Sequence, residues 1–270
     1  MKLMKIKGFL AYLMLVFCNG FIDLGHKILI QDTLYKAMDG KTLVILSAVI
    51  NAFILLPYLL LFTPSGFIAD KFPKAKVLRL TALCTVPLTL LITFCYYQGY
   101  FWPAFIMTLF LGTQSAINSP AKFGYIKELC GKEALAPANA LVQTIAILAL
   151  LSGTFVFSFL FETLLEHGGK GELLNLADML QTFAPLGWIL VLFSIIETLL
   201  ACCLPVNRPI DPNSCYVIKN YFKGAYLKPY LKRLCDTPVI LASVIGLALF
   251  FGINQVLLAS YGPFVKSHLN

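Results

Sequence analysis

Charge is scarce in this sequence. Asp, Glu, Lys and Arg make up only 13% of its 270 residues, about half the share of a soluble domain, which excludes a solvated globular surface all round. Its eight cysteines contain no Cys-x-x-Cys pair, so neither a zinc site nor a disulfide framework is indicated. Cys18, Cys84, Cys95, Cys202 and Cys203 lie in apolar runs and Cys130, Cys215 and Cys235 in loops, and free thiols are expected. The first apolar run, after Met1 to Lys7, lacks a small-residue cleavage site, and Phe17 before Cys18 spoils a lipoprotein site. More spans follow, so this run is not read as a cleaved leader.

Apolar length is abundant. The chain is 59% hydrophobic with mean hydropathy +0.82, and a bilayer core takes about 20 apolar residues per helix. About seven stretches qualify, expected from Lys7 to Ile30, Thr42 to Pro64, Val77 to Tyr97, Pro103 to Ser119, Ala138 to Phe161, Pro185 to Leu204 and Val239 to Tyr261. Backbone groups in lipid must be bonded within their own segment, so these are helices of an all-α integral membrane protein.

The net charge of +8 follows topology. With the N-terminus inside, 16 of the 21 Lys and Arg residues fall in cytoplasmic segments. That is the positive-inside pattern, and no nucleic-acid motif accompanies it. The aromatic run Tyr96, Tyr97, Tyr100, Phe101, Trp102 reads as a tight outer turn at the interface, and 162–178 as a polar, acid-bearing outer loop.

The tightest basic turn runs from Ser65 to Arg79, with Lys71, Lys74, Lys76 and Arg79 against the single acid Asp70. Gly66-x-x-Ala69-Asp70-Lys71-x-x-Lys74-x-Lys76 resembles the loop between helices 2 and 3 of the major facilitator superfamily, with Pro73 in place of the second glycine. The resemblance implies that Gly66 allows close helix packing and that Asp70, with Lys71, latches a neighbouring helix terminus in gating. An ordinary positive-inside loop is the alternative.

Polar residues inside the spans are the candidates for chemistry. Asn19, Asp23, His26 and Lys27 share one face of helix 1. Ionisable groups at such depth face a bundle interior, although Asp23 could instead form a local pair with Lys27. His26 reads as a packing or interface residue. Gly112, Ser115 and Ser119 form a small-residue face on helix 4, for packing or cavity lining, and Lys122 follows at the membrane boundary, placed to meet phosphate or a carboxylate. Glu197 falls near the middle of helix 6, where it must be protonated, paired or wet. Proton coupling is one reading, and a structural carboxyl bonded to Gln143, Asn254 or Gln255 is the other.

The segment from Gly112 to Thr154 narrows the resemblance. Ser119-Pro120-Ala121-Lys122-Phe123-Gly124, Glu128-Leu129 and Ala138-Asn139-Ala140-Leu141 look like bacterial lysophospholipid transporters, in which Ser-Pro-Ala-Lys-Tyr-Gly closes helix 4 and Ala-Asn-Gly-Leu opens helix 5. In helix 1 the family's Phe-x-Asp-Asn appears as Phe21-Ile22-Asp23-Leu24, so the aspartate carries over.

The resemblance implies a six-helix N-terminal bundle over 1–205, a basic cytoplasmic central loop over 206–238, and over 239–270 the first helix of an incomplete C-terminal bundle, as in a truncated product. It implies an alternating-access transporter in the bacterial inner membrane, N-terminus cytoplasmic, that moves lysophospholipid for reacylation. Asn19, Asp23, Ser115 and Ser119 would bind substrate, Gly66, Asp70, Lys71 and Lys122 would gate, and Glu197 is the possible proton-coupling group. No cofactor or metal is implied. Partners would be the amphipathic substrate, the bilayer and an acyltransferase acting downstream. The chain itself lacks the acyltransferase signature of His with Asp five residues later, since His26 meets Gln31 and His167 meets Glu172. Alternatives are a proton-coupled drug or small-solute exporter of the same superfamily and a non-transporting fragment.

Within the central loop, Tyr216, Tyr221, Tyr226 and Tyr230 interleave with Lys219, Lys223, Lys228, Lys232 and Arg233. This suits a helix on an anionic leaflet, although Gly224 and Pro229 are expected to break it.

Overall fold

The computed structural model describes residues 3–167, 175–207, 221 and 226–268. Among them all regular structure is helical. A 3-10 turn at Leu3–Lys5 precedes α1 (Phe9–Ala37), α2 (Gly40–Leu60), α3 (Phe62–Lys71), α4 (Lys74–Gln98), α5 (Phe101–Cys130), α6 (Leu135–His167), α7 (Leu176–Phe183), α8 (Gly187–Cys202), α9 (Leu227–Cys235) and α10 (Pro238–His268). A 3-10 turn at Ala184–Leu186 joins α7 to α8. Most of the expected central loop lies outside the described residues.

Most helices overrun the apolar stretches that announce them. Apolarity marks only the part in contact with lipid or core, whereas the hydrogen-bond ladder continues until something stops it. For α4 the stop is Gly99, whose φ of 68° is a left-handed cap that glycine adopts without strain. The outer loop expected from residue 162 is likewise helical at both described ends, in α6 to His167 and in α7 from Leu176.

Prolines gave the two largest differences. Helix 4 was expected to end at Ser119, yet α5 runs through Pro120 to Cys130. The basic turn from Ser65 is also mostly helix, because α3 carries it to Lys71 and only Phe72 and Pro73 break the chain before α4. Pro64 sits in the first turn of α3, where a missing N–H costs nothing, and Pro73 caps α4 with φ −54°.

Pro57 acts inside α2. Having no N–H, it leaves the Phe53 carbonyl without its helical donor, and that oxygen faces Gly112 of α5, where a Cβ would stand 2.9 Å from it. Gly112 therefore does serve close packing.

Among the described residues five segments are long and apolar enough to cross a membrane: α1, α2, α4, α6 and the continuous Leu176–Cys202. This is fewer than the seven stretches expected. Gln114, Ser115, Asn118 and Ser119 dilute α5, and α10 contributes a shorter apolar run, Pro238–Asn254. α1 packs mainly on α6 and α8, α4 on α5 and α8, α2 on α5, and α10 on α2.

The core divides into two apolar layers along the helix axes. One, at the aromatic end, gathers Phe21, Leu29, Tyr96, Phe101, Phe105, Phe157, Phe161 and Phe183. The other, at the basic end, gathers Phe9, Tyr12, Ala75, Leu78, Tyr125, Val142, Ala201 and Leu204. On α1 the basic-end layer stops at Val16 and the aromatic-end layer starts at Phe21.

Candidate functional site

Between those layers lies a polar one. Asn19 of α1 is 1% exposed and Glu197 of α8 is 1% exposed, a burial that charged and amide groups tolerate only with partners. Lys122 of α5 reaches in and donates from Nζ to Asn19 Oδ1 at 3.2 Å. Asp23 and Glu197 are the carboxylates whose charges act on that lysine. Ser115 donates to Asp23 Oδ2, and Tyr58 of α2 stands beside the same pair.

The layer continues sideways into α4. The Ser115 hydroxyl lies 3.2 Å from Gln114 Oε1, Gln114 Nε2 donates to the Thr81 carbonyl at 3.2 Å, and the Thr81 hydroxyl donates to Asn118 Oδ1 at 3.0 Å. Three atoms in the centre, Asn19 Nδ2, Asp23 Oδ1 and Glu197 Oε2, are buried without a hydrogen-bond partner. Buried polar atoms are almost always paired, so three unpaired ones on neighbouring residues of one cluster leave hydrogen-bonding capacity there. Two acids, one ammonium and one amide there suit a zwitterion or a small cation better than an anion.

The structure thus brings together Asn19, Asp23, Ser115, Lys122 and Glu197. Ser119 is half-buried, one turn along α5 from Ser115. The alternative pairing of Asp23 with Lys27 is not formed: among the described residues the salt bridges are Lys36–Glu162 and Lys74–Glu128. Of the suggested partners of Glu197, Gln143 does not reach it, being exposed and lining a cavity at the basic end. Asn254 sits on α10, and the Gln255 side chain lies outside the described residues. His26 is fully buried between Tyr96 Oη at 2.6 Å from Nδ1 and Thr108 Oγ1 at 3.2 Å from Nε2, which is a packing role joining α1, α4 and α5. No group of three His, Cys, Asp or Glu residues able to hold a metal occurs among the described residues.

Of the expected gate residues Lys122 joins this cluster, whereas Gly66, Asp70 and Lys71 stand apart from it. Gly66, Asp70, Lys74, Lys127 and Glu128 line a cavity of about 880 Å³ between α3, α5 and α6. A Cβ on Gly66 would meet nothing within 4 Å, so the close packing expected of that glycine is absent. Asp70 is exposed and forms no salt bridge among the described residues. Lys71 lies 5.6 Å from the centre of the Phe67 ring and 6.0 Å from that of Phe72. The ion pair here is Lys74 with Glu128 at 2.5 Å, side chains 5% and 19% exposed. Lys74 crosses Gly124 to reach it, and a Cβ there would stand 2.6 Å from Lys74 Cε.

Sequence reading missed Gln114, Asn118 and the Lys74–Glu128 pair. The first two carried a signal, because they share the α5 stripe with Ser115. The third is a contact across 54 residues and left none.

Fold and polar layer together define an all-α, multi-pass membrane protein. Part of the chain is similar to Lysophospholipid transporter LplT of Photorhabdus laumondii, with 37% identity over 105 residues, 39% of this chain and 25% of that protein. The match thus spans about a quarter of the curated relative's length. No family model matches the chain, and no solved structure matches it.

Proposed function

We propose that the chain is part of a major facilitator type transporter that carries lysophospholipids across the bacterial cytoplasmic membrane, N-terminus inside, for reacylation by an enzyme acting downstream. The observation that carries this reading is the buried cluster of Asn19, Asp23, Ser115, Lys122 and Glu197 between two apolar layers, with three of its polar atoms unpartnered. A lysophospholipid headgroup offers a phosphate to Lys122 and, in the ethanolamine species, an ammonium to Asp23. The name of the relative that part of the chain resembles supports the same substrate class. In this reading the bundle rocks against a partner bundle about the polar layer, Ser119 lies at the margin of the binding site, and Gly66, Asp70 and Lys71 act at the basic-end cavity as a gate. Lys122 serves binding and gating together, since it leaves the basic end to join the cluster.

The test is uptake of labelled lysophosphatidylethanolamine by cells producing the protein. Asp23→Ala is expected to abolish uptake with the amount of protein unchanged, and undiminished uptake removes Asp23 from the mechanism.

A second reading, proton-coupled efflux of a drug or small solute, is favoured by Glu197 alone, an acid 1% exposed beside Asp23 and Lys122. It requires that collapse of the pH gradient stop transport and that Glu197→Gln uncouple it.

A further inference from the structure

We infer that α9 is a membrane-surface helix that binds anionic lipid headgroups on the bilayer face where the basic loops lie. Transport chemistry plays no part in this inference. The nine residues Leu227–Cys235 include Lys228, Lys232 and Arg233 and no acid. At about 100° per residue, positions 227, 231 and 234 fall on one side of the helix and the three basic positions fall on its flanks and back. Leu227 is 38% and Leu231 47% exposed and Leu234 is half-buried, so the described residues leave much of that apolar stripe uncovered. Pro229, expected to break a helix here, lies in the first turn of α9, where it is tolerated.

Position supplies the occupant. Only Asp236 and Thr237 separate α9 from α10, and the backbone stays bonded through them, from Asp236 N to Lys232 O at 2.9 Å and from Leu241 N to Thr237 O at 3.0 Å. The first turns of α10 expose Val239, Ile240, Val244 and Ile245, at 76%, 52%, 43% and 51%, as a lipid-facing helix does. α9 is thereby held at the start of an apolar helix whose first turns face outward. An apolar stripe flanked by lysines at that level matches acyl chains below and anionic headgroups around it, each basic residue near such a surface strengthening attachment about fivefold.

Hydrogen exchange of the full chain, reconstituted in vesicles of phosphatidylcholine alone or mixed with phosphatidylglycerol, reads the attachment directly. The amides of 227–235 are expected to exchange about a hundredfold more slowly in the anionic vesicles. High salt and the K228Q/K232Q/R233Q variant should erase the difference, while L231S should weaken protection without changing exchange in α1 or α4. Equal exchange in the two lipids overturns the proposal. So does protection that survives the charge variant, which assigns α9 to packing against protein, or protection that appears only on adding RNA, which assigns it to nucleic acid.

Discussion

At the aromatic end the helices meet through rings: Tyr96 packs against Phe183 at 5.0 Å, Phe161 against Phe183 at 5.3 Å, and Phe21 against Phe157 at 5.2 Å. At the basic end they are tied by single polar bonds across helices. Arg79 of α4 donates to the carbonyls of Ala201 and Cys202 in the last turn of α8 and of Leu204 just past it, Tyr125 donates to the Pro205 carbonyl at 2.7 Å, and Tyr12 to the Lys122 carbonyl at 2.6 Å. Ring packing is dispersed over many weak contacts and yields gradually. A bond to a carbonyl is made or broken whole. The basic end is therefore the one that loses its ties in discrete steps, and the aromatic end the one that loosens gradually.

The comparison breaks most sharply at Glu128. Glu128→Leu strands the buried Lys74 ammonium and is expected to cost about 3–5 kcal/mol, seen as a fall in the thermal midpoint in detergent, and pairing it with Lys74→Met should recover most of the loss. A single variant as stable as the wild type would mean that the basic end is not held by this pair. Arg79→Gln comes next. Charge-assisted bonds are worth about 1.5–3 kcal/mol, and the loss should appear as faster hydrogen exchange at the end of α8 with α1 and α6 unchanged. Tyr125→Phe should be the mildest, at about 0.5–1.5 kcal/mol, confined to the same end. Spread of its effect to the amides around Phe183 would erase the distinction between the two ends.

The sequence disclosed the helices because lipid and core demand apolar runs, and it disclosed the polar stripe of α1 because residues four apart share a face. It hid what completes the site. Lys122 looks like a boundary residue as long as Pro120 is taken for the end of its helix. Once α5 continues through that proline, Lys122 falls seven residues beyond Ser115 on the same face and enters the cluster. The pairing of Asn19 with Lys122 spans 103 residues, and the three carbonyls that receive Arg79 lie 122 to 125 residues away. No local pattern encodes contacts at that distance.

The ties of Arg79 also have a consequence in time. At about 5–20 residues per second, the ribosome releases Arg79 roughly ten seconds before it makes the carbonyl of Ala201, 122 residues later. Throughout that interval the Arg79 guanidinium lacks its three carbonyl partners, while α4 can pack on α5 and, once it is made, α7. The arrival of α8 supplies those carbonyls, so a tie that α4 needs from its own synthesis onward is provided only by the last part of the bundle to be made.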